Sequence, residues 1–175
     1  MRAVTELARY GVGGRNLRAY RTSADREAAL LQQILDTAVE GIAEWAGPRG
    51  VEFVVAAEAR GFILGASVAR ELGAGFVPAR KPGKLPAEVV TAEYILEYGI
   101  DALEMHADAI AHGARVLIHD DLLATGGTAR TLCRLVEQLG GVVVGCGFLI
   151  ELAFLPGRKR LEGYDVHSLI VYDSE

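Results

Sequence analysis

Apolar and polar positions along this chain follow two alternating periods. From Ser23 to Trp45, apolar residues at Ala28, Leu31, Ile34, Leu35, Ala38, Val39 and Ile42 recur at helical spacing. They predict a helix covering one face of a sheet, with Thr22 and Asp25 as its capping pair. After Gly47-Pro48-Arg49-Gly50, the run from Val51 to Ala57 predicts a strand; 62–72 reads as a helix stopped by Gly73, and 75–79 as a second strand. The pattern then repeats, with a strand over 115–120, a helix over 127–139 whose inward face is Leu132, Leu135, Val136 and Leu139, and strands over 142–150 and 165–172. Strands alternating with helices imply an α/β fold: a mainly parallel, twisted sheet flanked by helices. Residues 1–175 read as a single domain.

One segment breaks this rhythm. Residues 81–106 hold Pro82, Gly83, Pro86 and several charges around a strand-like stretch near Val89 to Tyr94. They predict a flexible β-hairpin lid standing off the sheet.

Composition narrows the classes. Hydrophobic residues make up 51% of the chain and charged ones 23%, which argues against disorder. A net charge of -5 and a pI near 5.4 argue against broad contact with nucleic acid, so any polyanionic ligand must be met by local basic residues. The first ten residues contain no apolar core of signal-peptide length, and the run from Gly141 to Ile150 is too short to cross a bilayer. A soluble cytoplasmic protein that binds neither membrane nor nucleic acid is the expectation. Cys133 and Cys146 lack metal-ligand spacing and read as buried, reduced thiols.

Candidate chemistry concentrates in Val116-Leu117-Ile118-His119-Asp120-Asp121-Leu122-Leu123-Ala124-Thr125-Gly126-Gly127-Thr128. An apolar strand leads into two carboxylates, then into a glycine-rich hydroxyl loop, then into a helix. Open α/β sheets bind ligands at the carboxyl ends of their strands. Ala124, Thr125, Gly126, Gly127 and Thr128 offer backbone N–H groups, two hydroxyls and a helix N-terminus, which suit a phosphate dianion. Charge-assisted bonds of about 1.5 to 3 kcal/mol each would hold such a group without a lysine. The lysine of a nucleotide triphosphate loop is indeed missing, since Ala129 and Arg130 follow Thr128. Asp120 and Asp121 would repel phosphate and instead accept from sugar hydroxyls, directly or through metal-bound water.

This segment resembles the phosphoribosyl pyrophosphate motif of the type I phosphoribosyltransferases. Glu58-Ala59-Arg60-Gly61-Phe62, Arg80-Lys81-Pro82-Gly83-Lys84-Leu85-Pro86 and Leu96-Glu97-Tyr98-Gly99 are similar, in order and spacing, to the adenine phosphoribosyltransferases. The stretches Phe148 to Leu152, Gly157-Arg158 and Leu161 to Val166 fit the same family, so the likeness spans about residues 51–173. It implies the type I phosphoribosyltransferase fold and a purine salvage reaction in which adenine and 5-phosphoribosyl 1-pyrophosphate (PRPP) give AMP and pyrophosphate, with Mg2+ held mainly by substrate and water near Asp120 and Asp121. It further implies a cis peptide at Glu58-Ala59, cationic partners for pyrophosphate in Arg60, Arg80, Lys81 and Lys84, and proton transfer with the base by Glu97. Tyr98 would lie beside Glu97, Phe62 and Leu152 would line an adenine slot, and the molecule would be a homodimer.

The N-terminal part departs from the pattern. Members of the family carry a proline-rich approach to a Phe-Asp-Ile-Thr segment that forms a hood over the base. Residues 10–22 here read Tyr-Gly-Val-Gly-Gly-Arg-Asn-Leu-Arg-Ala-Tyr-Arg-Thr, with Arg15, Arg18 and Arg21 in place of prolines. Base choice is therefore less specified than sugar-phosphate binding. Two alternatives follow: a transferase for another purine, and a non-catalytic module that senses PRPP or AMP. His119 reads as a core residue, and no histidine-built metal site is expected.

Overall fold

The computed structural model describes residues 14–96 and 99–174, with side chains over 21–93 and 102–174. The chain separates into two compact units, residues 1–37 and 38–175.

In the first unit the described residues belong to helix α1 (Gly14–Ala46). This helix begins nine residues ahead of the predicted Ser23 start, so Thr22 and Asp25 lie inside it rather than capping it. Residues 14–22 include the good helix formers Arg15, Arg18, Ala19 and Arg21 but too few apolar residues to mark a period, which is why apolar spacing alone missed this extension. Arg21 lies 3.9 Å from Asp25, one turn on, and both side chains are mostly exposed.

The second unit contains the last turns of α1 and the sheet. Strands β1 (Phe53–Ala57), β2 (Gly75–Ala79), β5 (Arg115–Leu123), β6 (Val142–Leu152) and β7 (Val166–Tyr172) form one parallel sheet in the order β2-β1-β5-β6-β7. Strands β3 (Val89–Leu96) and β4 (Gly99–His106) pair antiparallel as a separate hairpin. Helices α2 (Gly61–Leu72) and α3 (Gly127–Gln138) follow β1 and β5, and a short helix α4 (Gly157–Arg160) follows β6.

Side-chain alternation along the strands sends each residue to one of two cores. Val55, Val77, Val116 and Ile118 pack with Leu132, Leu135, Val136 and Phe148 on the α3 face. Val54 and Leu117 pack with Val39, Ile42, Leu64 and Val68 on the face covered by α1 and α2. Cys133 and Cys146 are buried in the first core with free thiols, their Sγ atoms 3.8 Å apart.

The segment expected to stand off the sheet is rooted in it. Ala92, Leu103 and Met105 of the hairpin are buried in the α3-side core, and Arg80 pairs with Glu104 by an antiparallel bridge. Period-2 alternation on β4 drives this: Leu103 and Met105 face inward while Glu104 is half-buried. Strand β5 also continues past the acid pair, because Asp120, Leu122 and Leu123 still pair with Phe148, Ile150 and Glu151 of β6.

Candidate active site

Parallel strands bring the ends of β1, β2, β5 and β6 to one edge of the sheet, where open sheets of this type bind ligands. Asp120 and Asp121 sit there within β5, two residues before its end. Asp120 Oδ1 accepts the Asp121 backbone N–H at 3.0 Å. Burial, reinforced by the neighbouring Asp121 carboxylate, pushes the Asp120 carboxyl up to about 7. Gly61 at the start of α2 gives it room, since a side chain there would meet Asp120 Oδ1 at 2.9 Å.

The sign of that shift yields a test. Asp120 binds its proton more tightly in the folded protein, from an ordinary value of 3.8. Its ionisation therefore costs nothing at the acid end, costs progressively more through the window between those two values, and costs most above pH 7. Asp120→Asn should raise the melting temperature relative to the parent at about pH 8, with the gain shrinking toward about pH 5. A gain independent of pH in calorimetric scans would contradict the assignment.

On the β1 side, residues 58–60 leave the strand through a cis Glu58-Ala59 peptide. Arg60 Nε donates to Asp121 Oδ2 at 2.7 Å, with Arg60 74% exposed and Asp121 29% exposed. Glu58 turns the other way. Its Oε2 accepts from the Arg80 guanidinium at 3.0 and 3.2 Å, and its Oε1 accepts the Lys81 backbone N–H at 2.6 Å. The Lys81 N–H, and after it the Arg80 guanidinium, hold the Glu58 carboxyl below its usual range.

Residues 81–84 form a turn closed by the Lys84 N–H to the Lys81 carbonyl at 3.3 Å. Pro82 and Gly83 occupy its centre, with Gly83 at φ 74°, the signature of a type II turn. Lys81 and Lys84 thus stand at the corners of a fixed, exposed basic turn.

The loop from Ala124 to Thr128 runs from β5 into α3. Gly126, at φ 78°, caps the helix, and its carbonyl accepts the Arg130 N–H at 3.0 Å. The first-turn amides of α3 have no intrahelical acceptor and are available to an anion. The backbone of Gly157 lies against this loop, so that a side chain on Gly126 would meet the Gly157 carbonyl at 2.7 Å. Glu151, only 3% exposed, anchors that neighbour. It accepts from Arg158 at 2.5 and 2.8 Å and from Ser168 at 2.7 Å, and the Arg158 guanidinium holds its carboxyl below the usual carboxylate range.

Three structural features escaped the sequence reading: the contact of Gly157 with the loop, the bond from Gly83 to Glu104, and Glu58 as the fastener of Arg80. The dipeptide Gly157-Arg158 was the only signal of the first. Phe62 packs edge-on against Phe76 with ring centroids 5.7 Å apart, a contact made on the α2 side. Leu152 ends β6 half-buried. Glu97 and Tyr98 lie outside the described residues. His119 is fully buried with neither ring nitrogen hydrogen-bonded among the described residues, and burial pulls it down to about 4, so it is neutral at pH 7. Among the described residues no group of three or more His, Cys, Asp or Glu is arranged to hold a metal, and no helix is long and apolar enough to cross a membrane.

Residues 1–49 match the family model described as Rv1828-like, C-terminal domain. The chain is 58% identical over 141 residues to the adenine phosphoribosyltransferase of Thermotoga maritima, covering 81% of this chain and 82% of that protein. Over 139 residues it is 59% identical to the protein of the same name from Rubrobacter xylanophilus, covering 79% and 75%. Among solved structures, that of adenine phosphoribosyltransferase from Thermoanaerobacter pseudethanolicus superposes with a TM-score of 0.79 at 53% identity, covering 81% of this chain and 82% of that one.

Proposed function

Because this chain belongs to the adenine phosphoribosyltransferase family, a branch of the type I phosphoribosyltransferases, we propose that it makes AMP and pyrophosphate from adenine and PRPP in purine salvage. The observation that carries the reading is the acid pair Asp120/Asp121 flanked on one side by the Ala124–Thr128 amides and on the other by the Glu58-fastened basic turn. Two anion-binding sites on either side of two sugar-hydroxyl acceptors match a ribose carrying a phosphate at one end and a pyrophosphate at the other.

In this reading the 124–128 loop grips the 5-phosphate while Asp120 and Asp121 accept from the ribose hydroxyls. Arg60, Arg80, Lys81 and Lys84 stabilise the negative charge that grows on pyrophosphate as it leaves the anomeric carbon. Two carboxylates, one of them half-protonated near neutrality, are too few for an all-protein cation cage; they fit Mg2+ held largely by substrate oxygens and water. When bound, Mg2+ supplies charge neutralisation on the pyrophosphate oxygens. Glu97 takes the N9 proton of adenine, Tyr98 lies beside it, and Phe62 and Leu152 line the base slot. The segment 81–106 serves as the lid, and the enzyme works as a cytoplasmic homodimer, both in line with the family resemblance.

Formation of AMP followed by absorbance with adenine, PRPP and Mg2+ tests the activity; absence of product at micromolar enzyme would refute it. The match of residues 1–49 to a different family model favours a second reading, a transferase for another purine. Hypoxanthine, guanine and xanthine run beside adenine distinguish the two. Glu97→Gln should lower kcat about a hundredfold and flatten its pH profile. Full turnover with an unchanged profile would remove the proton-transfer role.

A further inference from the structure

Glu104, at the root of the hairpin, reaches back to the basic turn. Its backbone N–H donates to the Arg80 carbonyl at 2.7 Å and its carbonyl accepts the Arg80 N–H at 2.9 Å. Its side-chain Oε2 accepts the Gly83 N–H at 3.0 Å. One residue of β4 therefore holds the turn at its entry and at its centre, while Glu58 holds it from the β1 side through Arg80 and Lys81. Glu104 is itself immobilised, because Leu103 and Met105 on either side are 2% and 0% exposed in the core. The clamp thus runs from packed side chains through one carboxylate to an exposed loop carrying two lysines.

We propose that Glu104 is a positioning residue for pyrophosphate: it fixes the Lys81–Lys84 turn so that its cations and amides are aimed before the ligand arrives. An exposed glycine-proline turn left to itself samples many geometries, and ordering it on binding would subtract from affinity. The carboxylate removes that entropy in advance. Position matters here more than charge, since the acceptor faces a backbone amide and not a lysine. This inference deepens the transferase reading and rests on it.

Three variants test it. Glu104→Ala loses the acceptor, Glu104→Asp draws the carboxylate back by one methylene, and Glu104→Gln keeps an acceptor oxygen in place. Glu104→Ala and Glu104→Asp should each raise the KM for PRPP and the calorimetric Kd for inorganic pyrophosphate about tenfold, leaving the KM for adenine within about threefold; Glu104→Gln should restore parental values. In the ligand-free protein, the Gly83 amide should exchange with solvent faster in the first two variants and not in the third. Equal effects on both substrates, an unchanged Kd for pyrophosphate, or a Gln variant as impaired as the Ala one would overturn the proposal. If Glu104→Ala fails to fold, the Asp and Gln pair decides alone. A parent protein that makes no AMP would refute the transferase reading, whereas pyrophosphate binding and Gly83 exchange would still judge Glu104.

Discussion

Gly157→Ala is expected to leave a folded protein that has lost most of its use of PRPP. A methyl group at this position would lie 2.4 Å from the Ala124 carbonyl oxygen and 2.9 Å from the Leu123 side chain. A backbone oxygen cannot swing aside as a side chain can, so the loop from Ala124 to Gly126 must move as a unit. That loop is also locked from its own side, because Gly126 sits at φ 78° with the Gly157 carbonyl in the space a side chain would take. Displacement of about 1 Å in a positioning element costs on the order of a hundredfold in rate. We therefore expect kcat/KM for PRPP to fall about a hundredfold or more, with the circular dichroism spectrum retained. Gly47→Ala serves as the control, since nothing lies within 4 Å of the added carbon. Activity in Gly157→Ala within about threefold of the parent would mean that the loop tolerates the shift and is not the phosphate cradle.

What could be read from sequence follows from the range of the interactions involved. Apolar runs and helical spacing report burial, and burial sets the sheet and its two helical faces; β2 was predicted at 75–79 and is found at Gly75–Ala79. The β5 end was misplaced by three residues because Asp120 looked like an exit to solvent, whereas parallel pairing with β6 is a backbone property indifferent to that side chain. The lid was read from its prolines and charges, which describe the 81–88 turn well. They hide the burial of Leu103 and Met105. The candidate residues from Asp120 to Thr128 could be picked out together because they form one continuous motif, in which neighbours in sequence are neighbours in space. Glu104 and Gly157 could not be, since each acts on a backbone group 21 or more residues away. No local pattern encodes a carbonyl that a distant glycine must accommodate.

Asp121→Ala should separate function from stability most cleanly. In the ligand-free protein Asp121 makes one ion pair among the described residues, with Arg60, which is 74% exposed. Exposed pairs contribute about 0 to 1 kcal/mol, so the melting temperature should shift by no more than a few degrees. On the proposed function, the same carboxylate would accept from a ribose hydroxyl once PRPP is bound, and Arg60 would turn to the departing pyrophosphate. Removing it withdraws both a charged acceptor for the sugar and the group that stores Arg60 beside its target. Two bonds to charged groups at about 1.5 to 3 kcal/mol each predict a loss of roughly 100- to 10,000-fold in kcat/KM. Asp121→Asn should fall between the two, since the amide keeps one acceptor oxygen but turns a donor toward Arg60. The order matters more than the magnitudes. If activity and melting temperature decline together across the series, Asp121 is a structural partner of Arg60; if activity collapses while the melting temperature holds, the pair seen in the free protein is a resting contact between two groups whose working partners belong to the substrate.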